Sequence, residues 1–288
     1  MKLALGTVQF GVPYGINNSS GIPFDEEIKQ IFSVARNAGV KVVDTAIAYG
    51  NAEEKIGRYS GEDFRVVTKL PEFRENDEYS YKVLSETIAG CVARLCTSKL
   101  YGVLLHRPSQ ILEKNGGFLY KNLQQLKADG QVDKIGISIY EPSELDALGK
   151  LYDFDIVQAP LNIFDRRLID TGWLSRLADN GTEIHVRSVF LQGLLLTSPS
   201  QRLSKFAPWA ILLSRYDDWL KDTGLTALEA CIRFPLSFPE ISNVIIGVDN
   251  SKHLKEIIAA ADGDITRVPA DISSDDLKLI NPLSWLNF

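Results

Sequence analysis

The sequence of 288 residues has few of the residues that build disulfide frameworks or metal centres. Its three cysteines are Cys91, Cys96 and Cys231. They are odd in number and lack metal-ligand spacing, so we expect buried free thiols in a reducing compartment. Its three histidines are His106, His185 and His253. Because these lie on separate segments without ligand spacing, no metal site is expected.

Positive charge and long apolar runs are also scarce. The formal net charge is -6, and lysine and arginine are scattered, so no surface for nucleic acid or anionic membrane is expected. No apolar run approaches the roughly 18 residues that span a bilayer. The opening MKLALGTVQFG has too short an apolar stretch for a signal peptide and is interpreted as a first strand. We therefore expect a cytoplasmic globular protein, with its oligomeric state left open.

Strand and helix patterns alternate along the whole chain. Apolar runs predict eight strands, over 2–9, 41–45, 64–70, 100–106, 134–139, 156–159, 183–188 and 243–248. Helical patterns lie over 25–37, 81–95, 117–129, 142–151, 168–180, 226–234 and 251–261, with a capping box from Asn51 to Glu54. Continuous apolar strands are typical of a parallel sheet covered by helices. The order predicts an α/β fold, a (β/α)8 TIM barrel forming one domain over 1–288.

Two segments fall outside this alternation. The segment 208–221 carries apolar residues at helical spacing and predicts an extra helix. The tail 264–288 ends in an apolar cluster of Leu283, Trp285, Leu286 and Phe288. Either this tail folds back to flank the active-site mouth, or it packs on an outer helix.

Four polar residues stand where predicted strands two, three and four end. Asp44, Lys69 and His106 each close an apolar run, and Tyr49 follows Asp44 by five residues on the departing loop. Active sites of (β/α)8 barrels are built at the carboxyl ends of the strands, where the loops converge. We therefore expect these four side chains to meet at one mouth.

These residue types suit the reduction of a carbonyl group by hydride. The carbonyl oxygen needs a proton as the hydride arrives. A tyrosine has a pKa near 10, and the ammonium of Lys69 is expected to lower the pKa of Tyr49 toward neutrality. A buried lysine needs a carboxylate partner, which Asp44 supplies. His106 is then placed to orient the carbonyl or to share in proton transfer.

Other interpretations of the same residues stay open. Taken singly, the ion pair, the tyrosine and the histidine can be structural. Lys69 at a strand end could form a Schiff base, although a carboxylate neighbour raises the pKa of a lysine and so opposes this. A member of the fold that binds a nucleotide without catalysis, as a sensor or subunit, is the other alternative.

The segment VVDTAIAYGNAEEKIG, with VVTKL and LLH at the next strand ends, resembles the aldo-keto reductase superfamily. The similarity runs from GTVQFG to IIGVDNSKHLKEII. It implies NADPH-dependent reduction of a small-molecule aldehyde or ketone on a (β/α)8 barrel, with NADH as a possible cofactor. It casts Tyr49 as the acid, Asp44 and Lys69 as its tuning pair, and His106 as the carbonyl-orienting residue. The family's usual amino-terminal hairpin is expected to be absent.

The resemblance also implies a cofactor site. Its residues are Gly6, Thr7, Ser138, Gln158, Arg187, Ser188, Phe190, Leu191, Gln192, Gly193, Gly247, Val248, Asn250 and His253. Ser138 and Gln158 would bind the carboxamide, and the loop 188–193 would bind the pyrophosphate. Arg187 stands where relatives stack an aromatic ring on the nicotinamide, and we expect it to disfavour the cationic oxidised form. His253 and Ile257 replace the usual groups that clasp the 2′-phosphate, which predicts a weakened preference for NADPH.

A mixed group of residues is expected to line the substrate mouth. These are Phe10, Tyr14, Asn17, Arg107, Tyr140, Phe164 and Arg166. They define the substrate no further than a small aldehyde or ketone.

Overall fold

The barrel predicted from the alternation is present in the computed structural model, which describes residues 1–16, 18, 21–73 and 79–287. In those residues eight parallel strands close into a ring in chain order, with β1 beside β8. The strands are β1 Leu3–Gly6, β2 Val42–Asp44, β3 Arg65–Leu70, β4 Leu100–Leu105, β5 Val132–Ser138, β6 Ile156–Pro160, β7 Glu183–Arg187 and β8 Ile241–Gly247. The single-domain (β/α)8 fold is confirmed.

The helices lie between and outside the strands. They are α1 Val8–Gly11, α2 Asp25–Asn37, α3 Ala52–Tyr59, α4 Tyr81–Arg94, α5 Gly116–Ala128, α6 Glu144–Leu148, α7 Arg167–Asp170, α8 Trp173–Asp179, α9 Ala210–Thr223, α10 Ala227–Leu236, α11 Ser251–Ala260 and α12 Leu277–Ile280. Within the described ranges, none of them is long and apolar enough to cross a bilayer.

Some predicted boundaries are wrong. The first predicted strand ends at Gly6, because Val8–Gly11 turns into a short helix. The helix predicted over 168–180 is broken by Gly172, whose φ of 77° no helical residue adopts. The side chain of Asn51 makes no capping hydrogen bond, so the capping box predicted there is wrong. The helix predicted after strand seven is confirmed as α9.

The inside of the barrel is built in layers, because alternate side chains of a strand point to the same face. One apolar layer consists of Ala4, Val42, Val67, Leu104, Ile156 and Ile245. Two positions further along those strands stand Gly6, Asp44, Lys69, His106, Gln158 and Gly247. A polar layer therefore covers an apolar one at the carboxyl ends of the strands.

A second polar group fills the opposite, amino-terminal end of the barrel. Glu183 accepts hydrogen bonds from the Tyr101 hydroxyl at 2.7 Å and from the Lys134 ammonium at 2.5 Å, and His185 lies 3.5 Å from its other oxygen. Burial raises the pKa of Glu183, but the close approach of His185 and the hydrogen bonds from Lys134 and Tyr101 outweigh it and hold that pKa at about 2. This carboxylate is therefore ionised throughout the neutral range.

The tail meets the upper end of the barrel. Trp285 is buried against Phe206, with ring centroids 4.9 Å apart, and its indole donates to the carbonyls of Lys278 and Leu279 at 3.1 and 3.0 Å. Leu283 and its two preceding residues line the large cleft described below. The side chain of Leu286 and all of Phe288 lie outside the described residues.

The cysteines are free, as expected, but not all are buried. Cys91 and Cys231 are buried, whereas Cys96 is exposed. Burial raises the pKa of both buried thiols to about 12, so neither is reactive at neutral pH. The described residues contain no group of three or more His, Cys, Asp or Glu side chains able to hold a metal ion.

Candidate active site

A cleft of about 750 Å³ opens at the carboxyl ends of the strands. It is lined by the four residues that the sequence singled out, Asp44, Tyr49, Lys69 and His106. Their convergence follows from the strand register, since all three strand residues end their strands at the same mouth. The size is that of a cleft for a cofactor or a large ligand.

Asp44 and Lys69 form a buried ion pair across β2 and β3. The Lys69 ammonium donates to both carboxylate oxygens of Asp44 and to the carbonyl of Thr45 at 2.8 Å, so its three protons are all engaged. Lys69 is 1% exposed. Burial lowers the pKa of Lys69, but the carboxylate of Asp44 outweighs it and the pKa is raised. The lysine is therefore a fixed positive charge rather than a free amine.

The carboxylate of Asp44 has a further donor on the far side of the barrel. The amide nitrogen of Gln158 lies 3.1 and 3.2 Å from its two oxygens, and the Ser138 hydroxyl donates to the Gln158 carbonyl oxygen at 3.2 Å. The resemblance assigned Ser138 and Gln158 to the cofactor. Both line the cleft, and both also belong to the hydrogen-bond network that holds Asp44.

Tyr49 stands over this pair at the cleft wall. The Lys69 nitrogen lies 5.2 Å from the centre of the Tyr49 ring, and the ring meets that of His106 edge to face at 6.1 Å. Burial raises the pKa of Tyr49, while Lys69 and Arg187 oppose this rise. The expectation that Lys69 brings this pKa below its usual value is therefore wrong, because burial outweighs the cation. The hydroxyl keeps its proton at neutral pH, as a general acid must.

His106 is neutral in this setting. Burial lowers its pKa to about 4, and the charges of Lys69 and Arg187 add to the effect. A neutral imidazole has one N–H donor and one acceptor nitrogen. It can therefore orient a carbonyl oxygen by donating to it.

Arg187 brings a second cation to the mouth. Its guanidinium carbon lies 4.8 Å from the centre of the Tyr140 ring, and it donates to the Ile139 carbonyl at 3.0 Å and to the Ser188 hydroxyl at 3.2 Å. These contacts hold the positive charge of Arg187 close enough to act on Tyr49 and His106. It helps to lower the pKa of His106 and opposes the rise in the pKa of Tyr49. The arginine position was found from the sequence, but its effect on Tyr49 was not.

Most of the expected cofactor residues line the cleft. Those that do are Gly6, Thr7, Ser138, Gln158, Arg187, Ser188, Phe190, Gln192, Gly193, Gly247, Val248 and His253. Leu191 and Asn250 do not. The side chain of Leu191 is fully buried in the apolar core, and that of Asn250 caps α11 by accepting from the His253 amide at 2.8 Å.

Several polar side chains that the sequence did not single out also line the cleft, among them Gln9, Asp249 and Glu256. A side chain on Gly247 would come within 2.6 Å of Gln9, so the glycine leaves room for this glutamine. Gln9 and Asp249 each follow a strand end by two or three residues, a signal that could have been used. Their atoms Oε1 and Oδ1 are buried and have no hydrogen-bond partner among the described residues.

The loop after β7 has an unusual backbone. Ser188, Leu191 and Gln192 have φ of 61°, 46° and 52°, in the left-handed region that non-glycine residues seldom adopt. The Gln192 carbonyl accepts from the Ile16 amide at 3.0 Å, and its side-chain amide donates to the Tyr14 hydroxyl at 3.2 Å. The loops after β1 and β7 are thereby joined across the cleft.

The expected substrate mouth is partly wrong. Tyr14 and Tyr140 line the cleft, but Phe10 and Phe164 are fully buried in the core. Arg107 forms surface ion pairs with Glu72 and Glu113, and Arg166 stacks on Phe234 with its guanidinium carbon 5.6 Å from the ring centre. Asn17 lies outside the described residues.

A nicotinamide dinucleotide fits what the cleft offers. The cleft reaches from Tyr49 and His106 to the first turns of α11, and its volume is about 750 Å³. The unpartnered oxygens of Gln9 and Asp249 are acceptors that ribose or amide groups can satisfy. Comparison with known proteins agrees: the model of the aldo/keto reductase family matches residues 2–269. The chain belongs to the aldo/keto reductase family.

Two individual relatives are similar over part of the chain. An aldo-keto reductase of Mycobacterium sp. (strain KMS) is 34% identical over 183 residues, covering 61% of this chain. The chain spans only 63% of the length of that relative. D-threo-aldose 1-dehydrogenase of a Pseudomonas species is 25% identical over 263 residues, covering 77% of this chain and 79% of that protein.

Solved structures of family members share the fold. An aldo-keto reductase from Bacillus halodurans, in its holo form, superposes with a TM-score of 0.73 at 19% identity, covering 92% of this chain and 88% of that one.

Proposed function

We propose that this chain reduces a small aldehyde or ketone to an alcohol, with Tyr49 as the proton donor. The observation that carries the proposal is the shared cleft wall, where the Lys69 ammonium lies 5.2 Å from the Tyr49 ring and is tied to Asp44. A reduced nicotinamide bound in the cleft would supply the hydride, and with it the two electrons, to the carbonyl carbon.

The protein's own residues handle the oxygen. His106, neutral because its pKa is lowered to about 4, donates a hydrogen bond that orients the carbonyl. As the C=O π bond breaks, its electron pair moves to the oxygen, and Tyr49 donates its proton there. The charges of Lys69 and Arg187 favour the phenolate that results. Water restores the proton to Tyr49, so the products are an alcohol and the oxidised cofactor.

The Schiff-base alternative is not supported by the site. A nucleophilic lysine needs a lowered pKa, whereas the pKa of Lys69 is raised by its carboxylate partner. All three of its protons are engaged by Asp44 and Thr45. The cytoplasmic location expected from the sequence stays a prediction.

The test is the loss of reduced-nicotinamide absorbance with a panel of simple aromatic aldehydes. We expect turnover by the wild type and a loss of about two to four orders of magnitude in kcat for Tyr49→Phe. Cofactor affinity, measured by fluorescence titration, should change little, because only the hydroxyl is removed.

Tyr59→Phe is a matched control, since that hydroxyl binds Asp25 on the surface at 2.8 Å, away from the cleft. It should retain full turnover. If the wild type binds cofactor but turns over none of the aldehydes, the sensor alternative gains; if Tyr49→Phe keeps full activity, the assignment of the acid is refuted.

A further inference from the structure

The part of the cleft opposite His106 is built from β8 and α11. In a closed ring of eight strands β8 stands four places from β4, so it lies across the mouth. Its lining residues are Gly247, Val248, Asp249, His253, Glu256 and Ile257. If the proposed function holds, with the nicotinamide beside Tyr49, the adenosine half of the dinucleotide must lie at this end.

The first turn of α11 already holds a carboxylate. The Ser251 amide donates to Glu27 Oε1 at 2.5 Å, and the His253 amide donates to the side chain of Asn250 at 2.8 Å. Glu27 belongs to the first turn of α2, and these hydrogen bonds from Ser251 lower its pKa, so it is ionised. A helix amino terminus is a natural place for a phosphate. Here that place is filled from within the chain.

Two basic side chains in the first turn of α11 lie beside carboxylates. His253 Nδ1 lies 3.7 Å from Asp249 Oδ2, and the Lys252 ammonium lies 3.8 Å from Glu256 Oε1. The two basic groups of this turn therefore already face carboxylates. A phosphate ester would add roughly two negative charges among Glu27, Asp249 and Glu256.

Asp249 is suited to accept a hydrogen bond from a hydroxyl group rather than to bind a phosphate. Its Oδ1 is buried and has no hydrogen-bond partner among the residues described. An unsatisfied buried acceptor is costly, and a hydroxyl donor relieves that cost. A carboxylate that accepts from the adenosine ribose is the device by which dinucleotide sites select the cofactor without a 2′-phosphate.

We propose that the chain takes NADH in preference to NADPH. Asp249 accepts the 2′-hydroxyl of the adenosine ribose, and Glu27 keeps a 2′-phosphate away from the first turn of α11. This replaces the NADPH expected from the family resemblance and goes beyond the weakened preference expected from His253 and Ile257.

Binding, rather than turnover, tests the proposal. NADH and NADPH are titrated separately against wild type, Asp249→Asn and Glu27→Gln, following quenching of intrinsic tryptophan fluorescence. We expect the wild type to bind NADH about tenfold or more tightly than NADPH. Asp249→Asn should lose several-fold affinity for NADH alone, and Glu27→Gln should gain several-fold for NADPH alone.

Glu26→Gln is the matched control, because this neighbouring carboxylate on α2 is exposed and lies 3.8 Å from the ammonium of the exposed Lys29. It should leave both affinities unchanged. Equal or tighter binding of NADPH by the wild type overturns the proposal while leaving carbonyl reduction intact. Binding of neither cofactor would instead refute the proposed function itself.

Discussion

Gln158 donates its side-chain amide to both carboxylate oxygens of Asp44, the carboxylate that also receives the Lys69 ammonium. The aspartate is thus held from two sides of the barrel, by β3 and by β6. Because Gln158 is completely buried and bound in turn by Ser138, the position of Lys69 is fixed through three strands.

The contributions of Asp44 and Lys69 to the free energy of unfolding should depend strongly on each other. Asp44→Asn removes the negative charge and leaves the buried Lys69 ammonium with neutral acceptors such as the Thr45 carbonyl, so we expect a loss of about 3–5 kcal/mol in the free energy of unfolding. Urea unfolding measures this. The double variant Asp44→Asn/Lys69→Met removes the stranded charge and should unfold at a higher urea concentration than Asp44→Asn alone. Simple additivity of the two single losses would contradict the coupling.

The pH dependence of the activity should show no titration of His106 at the ordinary pKa of a histidine. The pKa of His106 is lowered to about 4, so kcat/KM should show no inflection near pH 6.5 that is due to this residue. Stability should fall as pH drops through 6.5 toward 4, since only the unfolded chain takes up this proton there. Imidazole NMR, assigned with His106→Gln, gives the pKa directly. A midpoint near 6.5 for the resonance that this variant removes would refute the prediction.

The charge of Arg187 should bias the oxidation state of the bound cofactor. Its guanidinium is fixed by Tyr140 and Ile139 beside the proposed nicotinamide site, where it repels the cationic oxidised ring. We expect Arg187→Ala to increase the affinity for oxidised relative to reduced cofactor by about fivefold, or ~1 kcal/mol. Fluorescence titration with both forms measures the ratio. Arg107→Ala, which removes a cation outside the cleft, should leave this ratio of affinities unchanged. An unchanged ratio in Arg187→Ala would contradict the prediction.

The carboxylate at the amino-terminal end of the barrel should stabilise the fold only above acidic pH. The pKa of Glu183 is about 2 in the folded chain against 4.5 as its ordinary value, a difference of about 3 kcal/mol at most. Because the folded pKa is the lower one, this stability is present above pH 4.5 and is lost as pH falls toward 2.

Urea unfolding of Glu183→Gln and wild type at pH 7 and pH 3 is the measurement. The difference in unfolding free energy should be large at pH 7 and smaller at pH 3. Glu62→Gln, an exposed carboxylate, should show little difference at either pH. A Glu183→Gln effect that is equal at both values would show that the charge is not responsible.

The sequence predicted the barrel and the placement of Asp44, Lys69 and His106 because both follow from local rules. Apolar runs mark buried strands, in which alternate side chains point into the barrel. A polar residue at the end of such a run faces the mouth when it lies an even number of positions after an inward-pointing residue. The helix Asp25–Asn37 was predicted with its exact ends, since its apolar residues follow one helical face.

Other features depend on packing that no local pattern shows. Phe10 and Phe164 follow strand ends as lining residues do, yet the loops turn them into the core. The sign of the pKa shift of Tyr49 depends on how deeply the surrounding loops bury it. Glu27 meets Ser251 across 224 positions of sequence, a pairing that exists only after the ring of strands has closed.

The bridge between Gln192 and the segment of Tyr14 and Ile16 has a kinetic consequence. It consists of two hydrogen bonds that span the cleft from the first loop to the seventh. If the cofactor of the proposed function lies beneath these two hydrogen bonds, they must break before it leaves, and we expect a conformational step to limit turnover.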